Sequence, residues 1–114
     1  MTRKLSLDAT AREQLDAARR ADARRAASTV VGGHEHVMRQ TVVALVAGAE
    51  LAEHENPGEA TVQVLLGRVQ LVAGNDSWDA RAGDLVEIPP ARHSLRALED
   101  SAVLLTAVPR RHTA

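Results

Sequence analysis

From Val37 onward, short runs of β-branched and aliphatic residues alternate with turn residues, and this pattern limits that region to an all-β fold. Short strands joined by tight turns are typical of a barrel or a sandwich. The run from Ala102 to Val108 is apolar at nearly every position, which predicts that both faces of this strand are covered. The predicted strands cover residues 37–47, 51–55, 60–66, 68–73, 77–81, 84–88, 92–97 and 101–108.

The first 30 residues have a different pattern, which predicts a helix over residues 8–27. Thr10 and Glu13 have the spacing of a capping box, in which each side chain bonds the backbone N–H of the other residue. The segment from Ser28 to Gly33 is predicted to end the helix, because paired glycines stop helices. The apolar stripe is narrow, so we expect the helix to lie against the barrel or a second subunit; it consists of Leu7, Ala11, Leu15 and Ala18.

The composition bears on the cellular compartment of the protein and on the kinds of bonds and reactions its side chains can form. The chain has 114 residues, the size of one domain, and no cysteine, which excludes disulfides, zinc ribbons and thiol catalysis. The polar residues near its start predict no export signal, and the longest apolar run, Val42 to Ala49, is too short to span a membrane. We therefore expect a cytoplasmic protein with no membrane partner.

The distribution of charge bears on nucleic-acid binding. Residues 1–29 contain seven basic and four acidic residues, whereas residues 30–109 contain five and eleven, a balance of −6. The larger segment therefore repels phosphate backbones, and nucleic acid is not an expected partner. Trp78 is the sole aromatic residue, and we expect it to pack at a barrel edge or to cover an interface.

Two segments with gapped spacing resemble the two sequence motifs of the cupin family. The first runs from Gly48 to Gly67, and the second runs from Gly83 to His93. The corresponding family motifs are G-x5-H-x-H-x3,4-E-x6-G and G-x5-P-x-G-x2-H. The chain therefore resembles a small single-domain cupin over roughly residues 38–108.

This resemblance, together with the predicted helix, implies an all-β cupin barrel, also called a double-stranded β-helix or jelly roll, with one N-terminal α-helix. We divide the chain into an N-terminal helical extension (residues 1–33), the cupin barrel (34–110) and a tail (111–114). Cupins are commonly dimeric and hold a ligand or a metal at the mouth of the barrel. The expected partners are therefore a second copy of the chain, as a homodimer, and a small-molecule ligand.

The residues at the family's metal-ligand positions depart from the family pattern. These positions hold His54, Asn56, Ala60 and His93, where the family has three histidines and a glutamate. Two imidazoles and a weakly donating amide would hold a transition metal poorly, because such an ion needs three or four protein donors. The resemblance implies a degenerate metal site centred on His54 and His93. The expected cofactor is one divalent ion of zinc, nickel, manganese or iron, or none.

Glu59 and His36 are further candidates for the ligand set. Glu59 is adjacent to Ala60, and a one-residue bulge would turn it inward, whereas strict alternation directs it outward. His36 forms an H-x-H pair with His34, and this spacing places both imidazoles on one side of an extended chain. The alternative is that both histidines lie at the rim or at an interface.

Three more polar residues are candidates for direct contact with a ligand: Arg39, Gln63 and Arg92. A guanidinium near the mouth of the barrel can clamp a carboxylate, and a surface position is the alternative for both arginines. Gln63 is predicted to face outward by the alternation of its strand.

Three functions are compatible with these residues, because one fold supports many activities. The leading hypothesis is a small-molecule-binding sensor or accessory module, since two of the four metal positions have lost their ligands. The alternative is a metal-dependent enzyme, an oxygenase or isomerase acting on a small polar substrate, in which Asn56, Glu59 or His36 completes the ligand set. A third is an interaction scaffold without a ligand, which a filled barrel interior would favour.

Overall fold

The computed structural model of the protein describes residues 2–54 and 58–109, with the backbone alone for residues 53 and 54. No helix in these residues is long and apolar enough to cross a membrane. The described residues form one helix and nine strands: α1 (Leu7–Arg20), β1 (Arg25–Val31), β2 (Arg39–Leu45), β3 (Glu50–His54), β4 (Gly58–Leu66), β5 (Arg68–Ala73), β6 (Asp76–Arg81), β7 (Leu85–Glu87), β8 (His93–Ala97) and β9 (Ser101–Pro109).

The strands form two antiparallel sheets that pack face to face. The five-stranded sheet has the order β1-β2-β9-β4-β7, and the four-stranded sheet has the order β3-β8-β5-β6. Many neighbours are distant in sequence, since β9 lies between β2 and β4. The architecture is a jelly-roll barrel, so the predicted all-β fold is confirmed. All eight predicted strands are present, with their ends shifted by two residues or fewer.

The space between the two sheets is filled by aliphatic side chains. They come from the inner faces of both sheets and from the segment between β7 and β8. Each buried valine or leucine contributes about 1.5–3 kcal/mol of hydrophobic stabilisation. The buried cluster consists of Val43, Leu45, Val62, Val64, Val69, Leu71, Ala80, Ile88, Leu95, Ala97 and Val103.

Helix α1 packs on the outer face of the five-stranded sheet and builds a second core there. The helix contributes Ala11, Leu15 and Ala18, all of which are buried. Strands β2 and β9 are therefore covered on both faces, as the apolar run of β9 predicted. The helix supplies this cover from within the same chain. The sheet residues in this core are Val42, Ala44, Val46, Ala102 and Leu104.

Asp100 connects the last turn of α1 to the loop after β2. Its carboxylate accepts a hydrogen bond from the backbone N–H of Ala47 at 2.9 Å and another from the guanidinium of Arg19 at 3.1 Å. The hydrogen bond from Ala47, followed by that from Arg19, lowers the pKa of Asp100 below its ordinary value. The ionised carboxylate thus holds the helix against the end of the barrel.

The predicted helix over residues 8–27 is wrong at its C-terminal end, because residues 25–31 form strand β1. The helix ends at Arg20, Arg24 in the following turn has a φ of 60°, and β1 then pairs with β2 from Arg25↔Leu45 onward. This pairing overrides the helix propensity of the alanines in β1. Ser6 caps the helix instead of Thr10, with its hydroxyl accepting from the N–H of Ala9 at 3.1 Å. The domain boundary at residue 33 stays a prediction.

Gly67 lies where the turn between β4 and β5 crosses the start of β9. Its φ is 77°, and an added Cβ would lie 2.3 Å from the carbonyl oxygen of Asp100 and 2.4 Å from Oγ of Ser101. Ser101 is fully buried, and its hydroxyl accepts from the N–H of Arg68 at 3.0 Å and donates to the carbonyl of Glu99 at 2.7 Å. Only glycine fits this crossing.

Candidate functional site

A bulge in β3 decides which residue lies opposite His93. Leu51 pairs with Leu95 and His54 pairs with His93, so three steps along β3 correspond to two along β8. A bulge of this kind shifts the following residues by one position relative to the partner strand. Directly opposed residues in an antiparallel pair have Cβ atoms about 4.5–5.5 Å apart. The bulge therefore makes residue 54 the cross-strand neighbour of His93.

His93 begins β8 and is 3% exposed. Its Nδ1 lies 2.9 Å from the carbonyl oxygen of Ala91. Because a carbonyl can only accept, Nδ1 carries a proton and donates it in this contact. The segment just before β8 thus fixes the orientation of the imidazole.

The barrel interior next to His93 is almost completely filled. The cavity that remains has a volume of about 10 Å³. This is room for about one water molecule. An organic ligand therefore does not fit between the sheets, and a site for one would lie at the end of the barrel. The lining residues are Leu51, Val62, Leu71, Ile88, His93, Leu95, Val103 and Leu105.

Glu59 and Gln63 lie on the outer face of β4. Both side chains are exposed, whereas Ala60 between them packs against the core. The register of β4 with β9 is regular from residue 58 to residue 64, so no bulge turns Glu59 inward. The strict alternation that directs both residues outward describes this strand correctly.

His36, Arg39 and Arg92 are all exposed. His36 lines two surface depressions, of about 440 and 270 Å³, and Arg39 lines the smaller one. Neither depression shares a lining residue with the cavity beside His93. Arg92 directly precedes His93 in the segment between β7 and β8. Asn56 lies outside the described residues, as does the side chain of His54.

The sequence matches the family model described as the cupin domain over residues 41–109, more than half of the chain. The chain belongs to the cupin family. Its fold agrees with this assignment, since the two sheets and their order form the barrel that the motifs implied. No curated protein matches the sequence.

The fold of this chain is similar to that of several solved structures, two of them described as cupins. A cupin superfamily protein from Desulfitobacterium hafniense has a TM-score of 0.74 at 14% identity, over 96% of this chain and 94% of that chain. A conserved protein of unknown function from Streptococcus pyogenes has a TM-score of 0.71 at 25% identity, over 81% and 80%. An RmlC-like cupin protein from Desulfovibrio desulfuricans has a TM-score of 0.67 at 28% identity, over 79% and 88%.

The described donor set of this cupin is too small for a transition-metal site. Among the side chains described, those of residues 2–52 and 58–109, no group of three His, Cys, Asp or Glu residues could hold an ion. The position that carries glutamate in the family pattern is Ala60, which packs against aliphatic residues. Two imidazoles alone do not provide the three or four donors that such an ion needs. The residues whose side chains the structure describes therefore do not form a complete metal site.

Trp78 lies on β6, at the edge of the four-stranded sheet of this cupin. It pairs with Leu71 of the interior, and Ala80, two residues along β6, is buried in the core. Trp78 itself is 42% exposed, at the edge where the two sheets separate. The alternation of β6, with Trp78 and Ala80 on one face, was the available signal that this ring continues the interior face.

Proposed function

We propose that this cupin is a sensor or accessory module that binds a small carboxylate at the end of the barrel formed by His54, His93, Arg39 and Arg92. The β3 bulge carries the proposal, because it makes residue 54 the register partner of the buried His93. When both of its ring nitrogens carry protons, His93 donates to the carbonyl of Ala91 through Nδ1 and can donate to one anionic group through Nε2. The degenerate metal site is thus proposed as an anion site.

The size of the interior and the nearby cations support this position for the ligand. A cavity of about 10 Å³ excludes an organic molecule from the interior, so the carboxylate would lie beyond His93. Arg92 is the neighbour of His93 in sequence. Arg39 begins β2 and pairs with Ala107, close to the end of β9 that pairs with Gly58. Guanidinium groups bind carboxylates through paired hydrogen bonds.

Thermal unfolding of the untagged protein with acetate or succinate tests the proposal. A ligand at ten times its Kd stabilises the folded state by about 1.4 kcal/mol, which raises Tm by about 5 °C in a domain of this size. The increase should be lost in His54→Ala and His93→Gln and kept in His36→Ala, the matched control with an exposed imidazole. No increase, or an equal increase in all four proteins, would contradict the proposal.

A metal-dependent oxygenase or isomerase acting on a small polar substrate is the second candidate. The hydrogen bond from Nδ1 of His93 to the carbonyl of Ala91 favours it, because metal-binding histidines are oriented by such contacts. Elemental mass spectrometry of the wild type and His54→Ala separates the two functions. Near-stoichiometric zinc, nickel, manganese or iron that is lost in His54→Ala would support the enzyme and overturn the anion site.

We also propose that the protein is a cytoplasmic homodimer. The chain contains no cysteine, which fits a reducing compartment. Because α1 covers the outer face of β2 and β9, a second copy is not needed there. Val37 and Met38, which are 58% and 38% exposed just before β2, are the apolar surface we assign to the dimer contact. A monomeric mass in solution at micromolar concentration would contradict the dimer.

A further inference from the structure

A groove lies between the open edges of the two sheets. Among the described strands, β6 pairs only with β5 and β7 pairs only with β4, so each has one unpaired backbone edge. The groove between them has a volume of about 470 Å³. We call it the seam groove and define it by its lining residues, Trp78, Asp79, Ala80, Asp84, Leu85, Val86, Glu87 and Pro89. None of these residues lines the cavity beside His93.

Two large apolar side chains that line the seam groove are exposed. Trp78 and Leu85 are 42% and 64% exposed, and they lie on the two strands that border the groove. Large aromatic and aliphatic side chains gain stability when a partner covers them. Val86 and Ala80, deeper in the groove, already pack into the interior core. A partner would therefore extend an existing hydrophobic surface.

The polar lining of the seam groove is acidic. It carries the carboxylates of Asp79, Asp84 and Glu87, and its described lining contains no basic residue. The Nε2 of Gln70 donates to Asp79 at 3.2 Å, and the backbone N–H of Arg81 donates to Asp84 at 2.9 Å. These contacts hold two of the carboxylates at the rim. Arg68 and Arg81 line an adjoining depression with Asp79 and Asp84, and the groove itself carries the three carboxylates, a charge that disfavours acidic partners and favours basic ones.

We propose that the seam groove binds an extended basic segment of another protein, which adds as a strand to the open edge of β6. Strand addition uses the unpaired backbone groups of an edge strand for affinity and side-chain contacts for specificity. Successive side chains of an extended segment point to opposite faces, so alternating basic and apolar residues match this groove. Apolar side chains on the inner face of the added strand would cover Trp78 and Val86, and basic ones on its outer face would pair with Asp79 and Glu87.

The test uses a blocked synthetic peptide, KVKVKVK, and the intrinsic fluorescence of Trp78. Since Trp78 is the only aromatic residue of the chain, its emission reports on the groove directly. We expect a saturable blue shift, with a Kd that rises about tenfold in Glu87→Lys. Glu35→Lys makes the same change of net charge on the exposed loop before β2 and should leave the Kd unchanged. His93→Gln should also leave it unchanged, which separates this site from the proposed carboxylate site.

Two further peptides test the mode of binding. EVEVEVE should not bind, and KVKPKVK should bind at least about tenfold more weakly, because its central proline cannot donate to a strand. Equal effects of Glu87→Lys and Glu35→Lys would overturn the proposal in favour of non-specific attraction. Equal binding of KVKPKVK would overturn strand addition, and an equal shift with lysine amide at the same concentration would indicate a site for small cations instead.

Discussion

Replacing Gly67 by alanine is expected to destabilise the barrel far more than the same change at Gly83. Both glycines have positive φ, 77° and 96°, and a left-handed backbone costs about 1–2 kcal/mol for alanine. The surroundings differ, however. An added Cβ at Gly67 would lie 2.3 Å from the carbonyl oxygen of Asp100, whereas nothing lies within 4 Å of one at Gly83. Gly83→Ala is therefore the matched control.

The size of the destabilisation in Gly67→Ala follows from the contacts that the added Cβ would displace. The turn at Gly67 has to separate from the start of β9, and overpacking of this kind costs about 1–3 kcal/mol. The shift also disturbs the hydrogen bonds of Ser101, each contributing about 1 kcal/mol. Alanine restricts the unfolded chain and returns roughly 0.4–1 kcal/mol. The free energy of unfolding should fall by about 3–5 kcal/mol in Gly67→Ala and by about 1 kcal/mol in Gly83→Ala.

Thermal unfolding followed by circular dichroism measures this difference. At about 4 °C per kcal/mol, Tm should fall by about 12–20 °C in Gly67→Ala and by about 4 °C in Gly83→Ala. A Gly67→Ala protein that does not fold agrees with the reasoning only when Gly83→Ala folds normally. If both variants melt within a few degrees of each other, the crossing at Ser101 is not tight and the argument fails.

Three other substitutions test the packing of the barrel and the helix. Ser101→Ala leaves the N–H of Arg68 without its buried acceptor, so the free energy of unfolding from urea titration should fall by about 1–3 kcal/mol. Leu15→Ala opens the contact between α1 and the sheet, and its urea midpoint should fall with a loss of about 2–5 kcal/mol. A loss under about 1 kcal/mol would show that the helix does not cover β2 and β9. The lowered pKa of Asp100 means that its contribution is present at neutral pH and is lost as the pH falls through that pKa. Because its side chain is 38% exposed, Asp100→Asn should cost only about 1 kcal/mol at pH 7 and almost nothing near pH 2, and an equal cost at both would contradict the ionic contact with Arg19.

The strands of the barrel could be predicted from the sequence because their runs and turns are local signals. Gly67 directly follows β4, and Gly83 lies in the turn between β6 and β7. Both are at positions that the spacing of the two family motifs indicates. Strand β1 could not be predicted in the same way. Its alanines and the arginine before it favour a helix locally, and only the pairing with β2 makes residues 25–31 extended. That pairing is a long-range effect, which local patterns do not contain.

Part of the candidate site could be predicted from the sequence, because local alternation determines which side chains of a regular strand face outward. Alternation along β4 correctly directs Glu59 and Gln63 outward, since that strand has a regular register there. The opposition of His54 and His93 depends on the bulge in β3, and a bulge shifts register without a distinctive residue in this segment. The exposure of Trp78 depends on the place of β6 at the end of its sheet, where β5 is its one neighbour among the described strands.

The central place of β9 also determines the order in which the chain can fold. Residues 101–107 pair with residues 39–45, so the middle of the five-stranded sheet cannot form until residues 101–107 have left the ribosome. The β5–β6 hairpin is local and can form early. The helix, in contrast, lacks Ala102 and Leu104 as packing partners until β9 arrives. Pairing between segments so far apart in sequence is slow, so we expect the apolar run in β2 to stay exposed during synthesis until β9 docks.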